Sequence, residues 1–332
     1  MRSSPRAVGI AAAVVTVAIW TGFIVIGRAS AGRSLLPFDL GLLRIVGASL
    51  VLLPWGWWLT RGQRGSSGVS LGGFSPLPLR PTVLAGLFGG LIYAVLCYAG
   101  FFFAPAAHAS VLMPGSLPLW TALLAAVILR DRITPARALG LACIVAGDLL
   151  VGGEGLLSAF QGGEVWKGDL IFMSAAFCWS VYSVLARQFH LDPVRATIAI
   201  TAFAFFTYVP LFVGLTASGL LPTRLGVAPW GEIVFQALFQ GLGSVVISGI
   251  AFVQMVRAFG PVKSTMITAL VPGLSALGAV VLLGEPLGWN LLAGLALVTA
   301  GILFGVRAAR PKTMNSIAVD ADSTATGGLK HP

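Results

Sequence analysis

The sequence predicts an all-α membrane protein of ten transmembrane helices, arranged as two five-helix inverted repeats. Three observations carry this reading. Hydrophobic residues make up 57% of the 332-residue chain and charged residues only 10%, against roughly a quarter charged in soluble domains. The apolar runs are continuous rather than alternating, and they approach the about 20 residues a helix needs to cross the hydrocarbon core. Finally, the stretch from His108 to Gly152 lies without a gap over Val262 to Val306. In that register Pro118 meets Pro272, Asp131 meets Glu285, Gly140 meets Gly294 and Gly147 meets Gly301. Matched punctuation of this kind, a mid-helix proline, an acidic break and then a glycine, marks an internal duplication.

In chain order, spans are expected at 8–27, 39–59, 82–103, 106–129, 136–153, 168–187, 193–217, 232–254, 262–283 and 288–306. The first run follows Arg2 and Arg6 and ends near Ala29-Ser30-Ala31, which resembles a signal-peptidase site. It exceeds the about 7–15 apolar residues of a signal peptide. Its end, Trp20 to Arg28, also recurs as Trp179 to Arg187, so it belongs to the fold. Between the second and third spans lies a Gly/Ser/Pro-rich basic segment, read as a flexible loop. The two repeats are placed at 8–153 and 168–306. Residues 307–332, polar and aperiodic, are expected to form a disordered cytoplasmic tail.

The formal net charge of +10 would suggest nucleic acid in a soluble protein, but here the cationic residues sit in short loops. With the N-terminus inside, the outer segments keep only Arg28, Arg33, Lys167 and Arg224. That asymmetry places both termini in the cytoplasm of a cell that carries this chain in its inner (plasma) membrane. Cys97, Cys143 and Cys178 fall inside apolar segments and read as small core hydrophobes. Five spans per repeat make the two copies insert in opposite orientations. Inverted repeats are a recurrent secondary-transporter architecture, with the substrate site at their interface.

Several residues resemble a known family. The tryptophan-centred first helix, Arg44 in LLRIVGASL, and the proline-bearing fourth helix that ends in VILRDRITPARALG resemble EamA-type proteins of the drug/metabolite transporter superfamily. So does the second copy, VVLLGEPLGWNLLAG. The resemblance implies ten helices, a central cavity and transport of small metabolites, often efflux of amino acids or toxic compounds. The family commonly writes Glu-Arg at the acidic breaks. Here they read Asp131-Arg132 and Glu285-Pro286, so no pairing role carries over to an arginine after Glu285.

Candidate substrate-binding residues follow from polarity inside the spans. Gln236, Gln240, Ser244 and Ser248 recur every four residues. Such a stripe points away from lipid, either into a cavity or into interhelical hydrogen bonds. Trp20, Tyr93, Tyr98, Trp179 and Tyr182 are aromatic candidates, with packing as the alternative. Pro118 and Pro272 each remove a backbone donor and bend a helix, and so either line the cavity or only shape packing. Arg44, His108 and Asp148 are ionisable groups inside spans and candidates for proton or cation coupling. Arg44 could instead snorkel to the outer interface, while Asp148 and His108 lie near outer helix ends. Asp131 and Glu285 sit at turns, where capping or loop pairing is expected.

No P-loop, metal-ligand cluster or nucleophile–base arrangement is present in the sequence. No cofactor, metal or catalytic residue is expected, and the protein is read as not an enzyme. The expected partners are a small-molecule substrate and the lipid bilayer, not nucleic acid, with proton coupling and homo-oligomerisation left open. The rival readings are a membrane-embedded enzyme and a flippase for lipid-linked substrates.

Overall fold

The computed structural model describes residues 5–308 apart from 64, 66 and 160, so the expected tail from residue 309 onward lies outside the described residues. Its long apolar elements are helices: α1 (Arg6–Ala31), α2 (Pro37–Thr60), α3 (Leu79–Phe101), α4 (Ala106–Ile128), α5 (Pro135–Gly153), α6 (Val165–Gln188), α7 (Pro193–Ala217), α8 (Trp230–Phe259), α9 (Met266–Leu283) and the shorter α10 (Trp289–Gly305). Prolines open several of them. Pro37, Pro135 and Pro193 occupy first turns, where a missing N–H costs nothing. Asp192 caps α7 by accepting from the Arg195 N–H. The outward faces are apolar, as at Leu50, Val127 and Leu282, 74%, 78% and 72% exposed. Such faces suit lipid rather than water.

Consecutive helices reverse direction, which sorts the turns onto two faces. The start of α1, the end of α10 and the turns after α2, α4, α6 and α8 share one, called here the termini face. The turns after α1, α3, α5, α7 and α9 form the far face. The helix pairings come in matched sets. α1 packs on α8 and α9 as α6 packs on α3 and α4; α2 packs on α8 as α7 packs on α3. The contacts of α5 with α10, α2 with α7 and α4 with α9 pair positions five helices apart. Widened π-helical turns likewise occur in α3 (Leu87–Leu91) and in α8 (Ala237–Ile247).

Backbone contact explains the glycines that recur between the copies. A Cβ built on Gly140 would lie 2.7 Å from the Gly301 carbonyl oxygen, and one on Gly147 would lie 2.6 Å from that of Gly294. The reverse additions collide equally, so α5 and α10 cross with main chains touching. Gly86 and Gly90 of α3 similarly lie against Phe203 and Ile200 of α7. By contrast Ala142 and Ala146 are exposed, and a Cβ on Gly305 would meet nothing within 4 Å, although the Gly305 backbone itself lies against Gly140.

One expected loop is more ordered than its composition implies. Ser70 and Ser75 exchange backbone hydrogen bonds at 3.0 and 3.2 Å, and the Ser75 and Thr82 hydroxyls lie 2.7 Å apart. Thr60 at the end of α2 donates its hydroxyl to the Gly73 carbonyl. Short hydroxylated side chains thus replace the secondary structure that Gly and Pro prevent, and residues 70–82 fold back against the end of α2.

Candidate functional site: a central cavity

Every helix except α5 and α10 contributes to the lining of one cavity of about 500 Å³. Its wall reaches Ala186, Leu191 and Pro193 at the α6–α7 turn, so it extends to the termini face. Among the described residues, none from the far-face turns lines it.

Two aromatic groups, on different pairs of helices, line this space. Trp20 of α1 stacks on Phe252 of α8 with centroids 5.4 Å apart. From α3 and α6, Tyr93 meets Trp179 at 4.7 Å and Trp179 meets Tyr182 at 5.3 Å. The π-helical turns and glycines of α3 make room for the second group: Gly89 backs directly onto the Tyr182 ring. Pro114, in a widened turn of α4, also lines the cavity.

Among the described residues, Arg44 is the one charged side chain in the lining. Its Nη1 donates to Ser244 Oγ at 3.0 Å and to the Gln240 carbonyl at 3.4 Å, and the guanidinium sits 5.3 Å over the Phe23 ring. Close approach of α2 to α8 creates this arrangement. A Cβ on Gly47 would collide with the Ala237 carbonyl, and one on Gly241 with the Gly47 backbone. One turn from that crossing, Arg44 reaches α8 where its widened turns present Gln240 and Ser244.

The predicted polar stripe divides between two environments. Ser244 and Ser248 line the cavity. Gln240 and Gln236 lie beneath it, 0% and 2% exposed, in the packed far-side half. There Tyr98 donates its hydroxyl to Gln240 Oε1 at 3.1 Å, Gln240 Nε2 donates to Gln236 Oε1 at 3.3 Å, and Gln236 Nε2 donates to Ser30 Oγ at 2.7 Å. Tyr98 is therefore floor rather than wall. Pro118 and Pro272 are one residue removed from the lining, which takes Leu117 and Val271 instead. Trp20, Tyr93, Trp179 and Tyr182 all line it.

The remaining ionisable candidates lie outside the cavity. His108 Nδ1 is 2.9 Å from Asp169 Oδ1 on the far-face side of α4 and α6. Asp148 is 7% exposed on α5, and neither of its oxygens has a hydrogen-bond partner among the described residues.

Below the floor the far face is closed by polar contacts between turns. Glu285 accepts the Ala106 and Ala107 N–H groups at 2.9 and 3.0 Å, a carboxylate on the positive end of α4. The same carboxylate pairs with Arg28 Nε at 3.4 Å, and Arg28 Nη1 donates to the Phe101 carbonyl at 2.6 Å. Asp39 accepts from the Thr223 hydroxyl at 2.6 Å and from the Arg224 N–H at 3.0 Å, tying α2 to the α7–α8 loop. On the termini face one ion pair spans the corresponding gap, Arg187 Nη1 to Asp131 Oδ2 at 2.9 Å, with the arginine side chain 59% exposed. Sequence reasoning missed the roles of Arg28, Asp39, Asp169 and Phe252. Only Arg28 carried a signal, through its repeat partner Arg187.

Known proteins share both the sequence pattern and the fold. The pattern of the EamA-like transporter family matches twice, over residues 7–153 and 166–307. The uncharacterized transporter YyaM of Bacillus subtilis is 27% identical over 226 residues, covering 67% of this chain and 71% of that protein. An uncharacterized transporter of Archaeoglobus fulgidus is 28% identical over 296 residues, covering 86% and 93%. The aromatic amino acid exporter YddG of Ancylobacter novellus is 28% identical over 250 residues, covering 71% and 74%. A solved crystal structure at 24% identity superposes with a TM-score of 0.56 over 94% of this chain and all of the other, which shows the fold. With nine helices long and apolar enough to cross a membrane and a shorter tenth among the described residues, and with one family pattern matching the chain twice, the chain is a multi-pass membrane protein that belongs to the EamA-like transporter family.

Proposed function

We propose that this protein is a secondary transporter that exports a small metabolite, an amino acid or a related or toxic compound, by alternating access at the central cavity. The observation that carries the proposal is the asymmetry of that cavity. It reaches the termini face at Leu191 and Pro193, while Arg28–Glu285, the Asp39 contacts and the glutamine chain close the far face. Its volume of about 500 Å³ falls within the roughly 300–1,000 Å³ of small-molecule sites.

The helix pairings and the reciprocal glycine contacts of α5 and α10 support two inverted halves, residues 8–153 and 168–306. Exchanging the conformations of near-equivalent halves opens the other side. The loop charges favour cytoplasmic termini, and with that orientation the form seen here opens inward. The likeness to a protein named an aromatic amino acid exporter, together with the Trp20–Phe252 and Tyr93–Trp179–Tyr182 walls, favours solutes with a flat apolar part.

The test is counterflow in proteoliposomes. Vesicles preloaded with unlabelled phenylalanine should accumulate labelled phenylalanine transiently above protein-free vesicles. Absence of counterflow with every amino acid and analogue tried would contradict a secondary transporter of this class.

A further inference from the structure

We infer that Arg44 is the substrate's anion anchor, so that the cavity takes carboxylate-bearing amphipathic solutes and rejects organic cations. The inference rests on the transporter reading and names the charge of its solute. Arg44 is the only charged group in the cavity wall among the described residues. Its hydrogen-bond partners, Ser244 Oγ and the Gln240 carbonyl, are neutral, and no carboxylate pairs with it among the described residues. Both of these contacts fall on Nη1, and the only other side chain within hydrogen-bonding reach of the guanidinium among the described residues is the neutral Tyr98 phenol, so the planar fork carries no anionic partner. A guanidinium binds a carboxylate through two parallel N–H donors, and the pairing is strong where water is scarce.

A cation held within a bilayer-spanning bundle without a counterion is costly, and structures retain one where it faces a substrate path or finds a partner. Neutral acceptors and the Phe23 face satisfy Arg44 only in part. A solute carboxylate supplies the missing charge. The rest of the solute then lies against the Trp20–Phe252 and Tyr93–Trp179–Tyr182 groups. Aromatic faces attract cations as well, so a zwitterion can use both features. A pure cation gains the rings but must share the cavity with a fixed positive charge and no carboxylate, and is opposed by it.

Three compounds with one ring and one chain separate these terms: 3-phenylpropionate, phenylalanine and phenethylamine, an anion, a zwitterion and a cation. Uptake into proteoliposomes is measured together with quenching of intrinsic tryptophan fluorescence in detergent. The expected result is that the first two bind and are transported, and that phenethylamine does so at least about tenfold more weakly. Arg44→Gln should lower carboxylate binding and transport by a similar factor and narrow the gap to the amine, with Arg44→Lys retaining part of both. If the glutamine variant does not fold, the charge preference of the unaltered protein and the lysine variant still decide. Phenethylamine transported as well as 3-phenylpropionate, and unchanged in Arg44→Lys, overturns the anchor while leaving the transporter standing. Binding of the carboxylates without transport supports the anchor and overturns the transporter reading. Absence of both for all three compounds overturns the anchor.

Discussion

Arg28 near the end of α1 and Glu285 beyond α9 meet across the far face, Nε to Oε1 at 3.4 Å, and the glutamate simultaneously caps the start of α4. The repeat maps Arg28 onto Arg187 and Glu285 onto Asp131, and those two also pair, at the opposite face. The two contacts differ in what surrounds them. The Glu285 side chain is 11% exposed and accepts two backbone N–H groups, whereas Asp131 is 31% exposed and its pair is open to solvent. At the positions equivalent to Ala106 and Ala107 the second copy has Gly260 and Pro261, and proline has no N–H to offer.

That difference predicts unequal responses to charge exchange. Arg187→Asp combined with Asp131→Arg restores an exposed pair, so the double variant should recover most of the counterflow lost in either single variant. Arg28→Glu combined with Glu285→Arg puts a cation on the positive end of α4 and should not recover. Equal recovery in both exchanges would show that Glu285 acts through Arg28 alone.

Gly147→Leu should destabilise the folded protein, because any Cβ there meets the Gly294 carbonyl and the Val298 side chain. Overpacking of this kind costs about 1–3 kcal/mol, read as a lower melting temperature in detergent. Gly305→Ala, whose added Cβ meets nothing within 4 Å, should be neutral or slightly stabilising. A melting temperature unchanged by Gly147→Leu would mean that α5 and α10 do not cross in contact.

Gln240→Leu strands the Tyr98 hydroxyl and the Gln236 amide that now bond to it. Hydrogen bonds between membrane helices contribute about 1 kcal/mol each, so the main effect should be on stability. Thermal unfolding separates this from a substrate contact. A variant of unchanged melting temperature but weaker substrate binding would return Gln240 to the cavity.

Trp20→Ala removes the partner of Phe252 and one aromatic wall. It should raise the KM for phenylalanine several-fold while leaving the melting temperature within about 3 °C, since Trp20 is only partly buried and borders open space; a small domain-scale change of about 1 kcal/mol sets that limit. An unchanged KM would assign the binding wall to α3 and α6 alone.

The architecture was legible because lipid permits few solutions. Continuous apolar runs read as helices, and the matched proline, acid and glycine carried the reading of two copies. The division of the polar stripe was not legible. Four-residue spacing puts Gln236, Gln240, Ser244 and Ser248 on one side of an ideal helix, but the depth at which cavity gives way to packing is fixed elsewhere. It depends on where α2 crosses α8 at Gly47 and Gly241, and on π-helical turns that a 3.6-residue period does not anticipate. Arg28–Glu285 was hidden for a related reason: the pair forms between opposite repeats, and no local spacing relates its members.

The most direct measurement of the central claim is the two-sided reactivity of a cysteine at Ser244, in a background lacking Cys97, Cys143 and Cys178. Alternating access predicts reaction with a small membrane-impermeant thiol reagent from the termini face, slowed by phenylalanine, and a slower reaction from the far face. Arg28→Ala, which removes the far-side ion pair, should raise the far-face rate at the expense of the other. A cysteine inert from both faces, with and without phenylalanine and in both backgrounds, would contradict a cavity that alternates between the two sides.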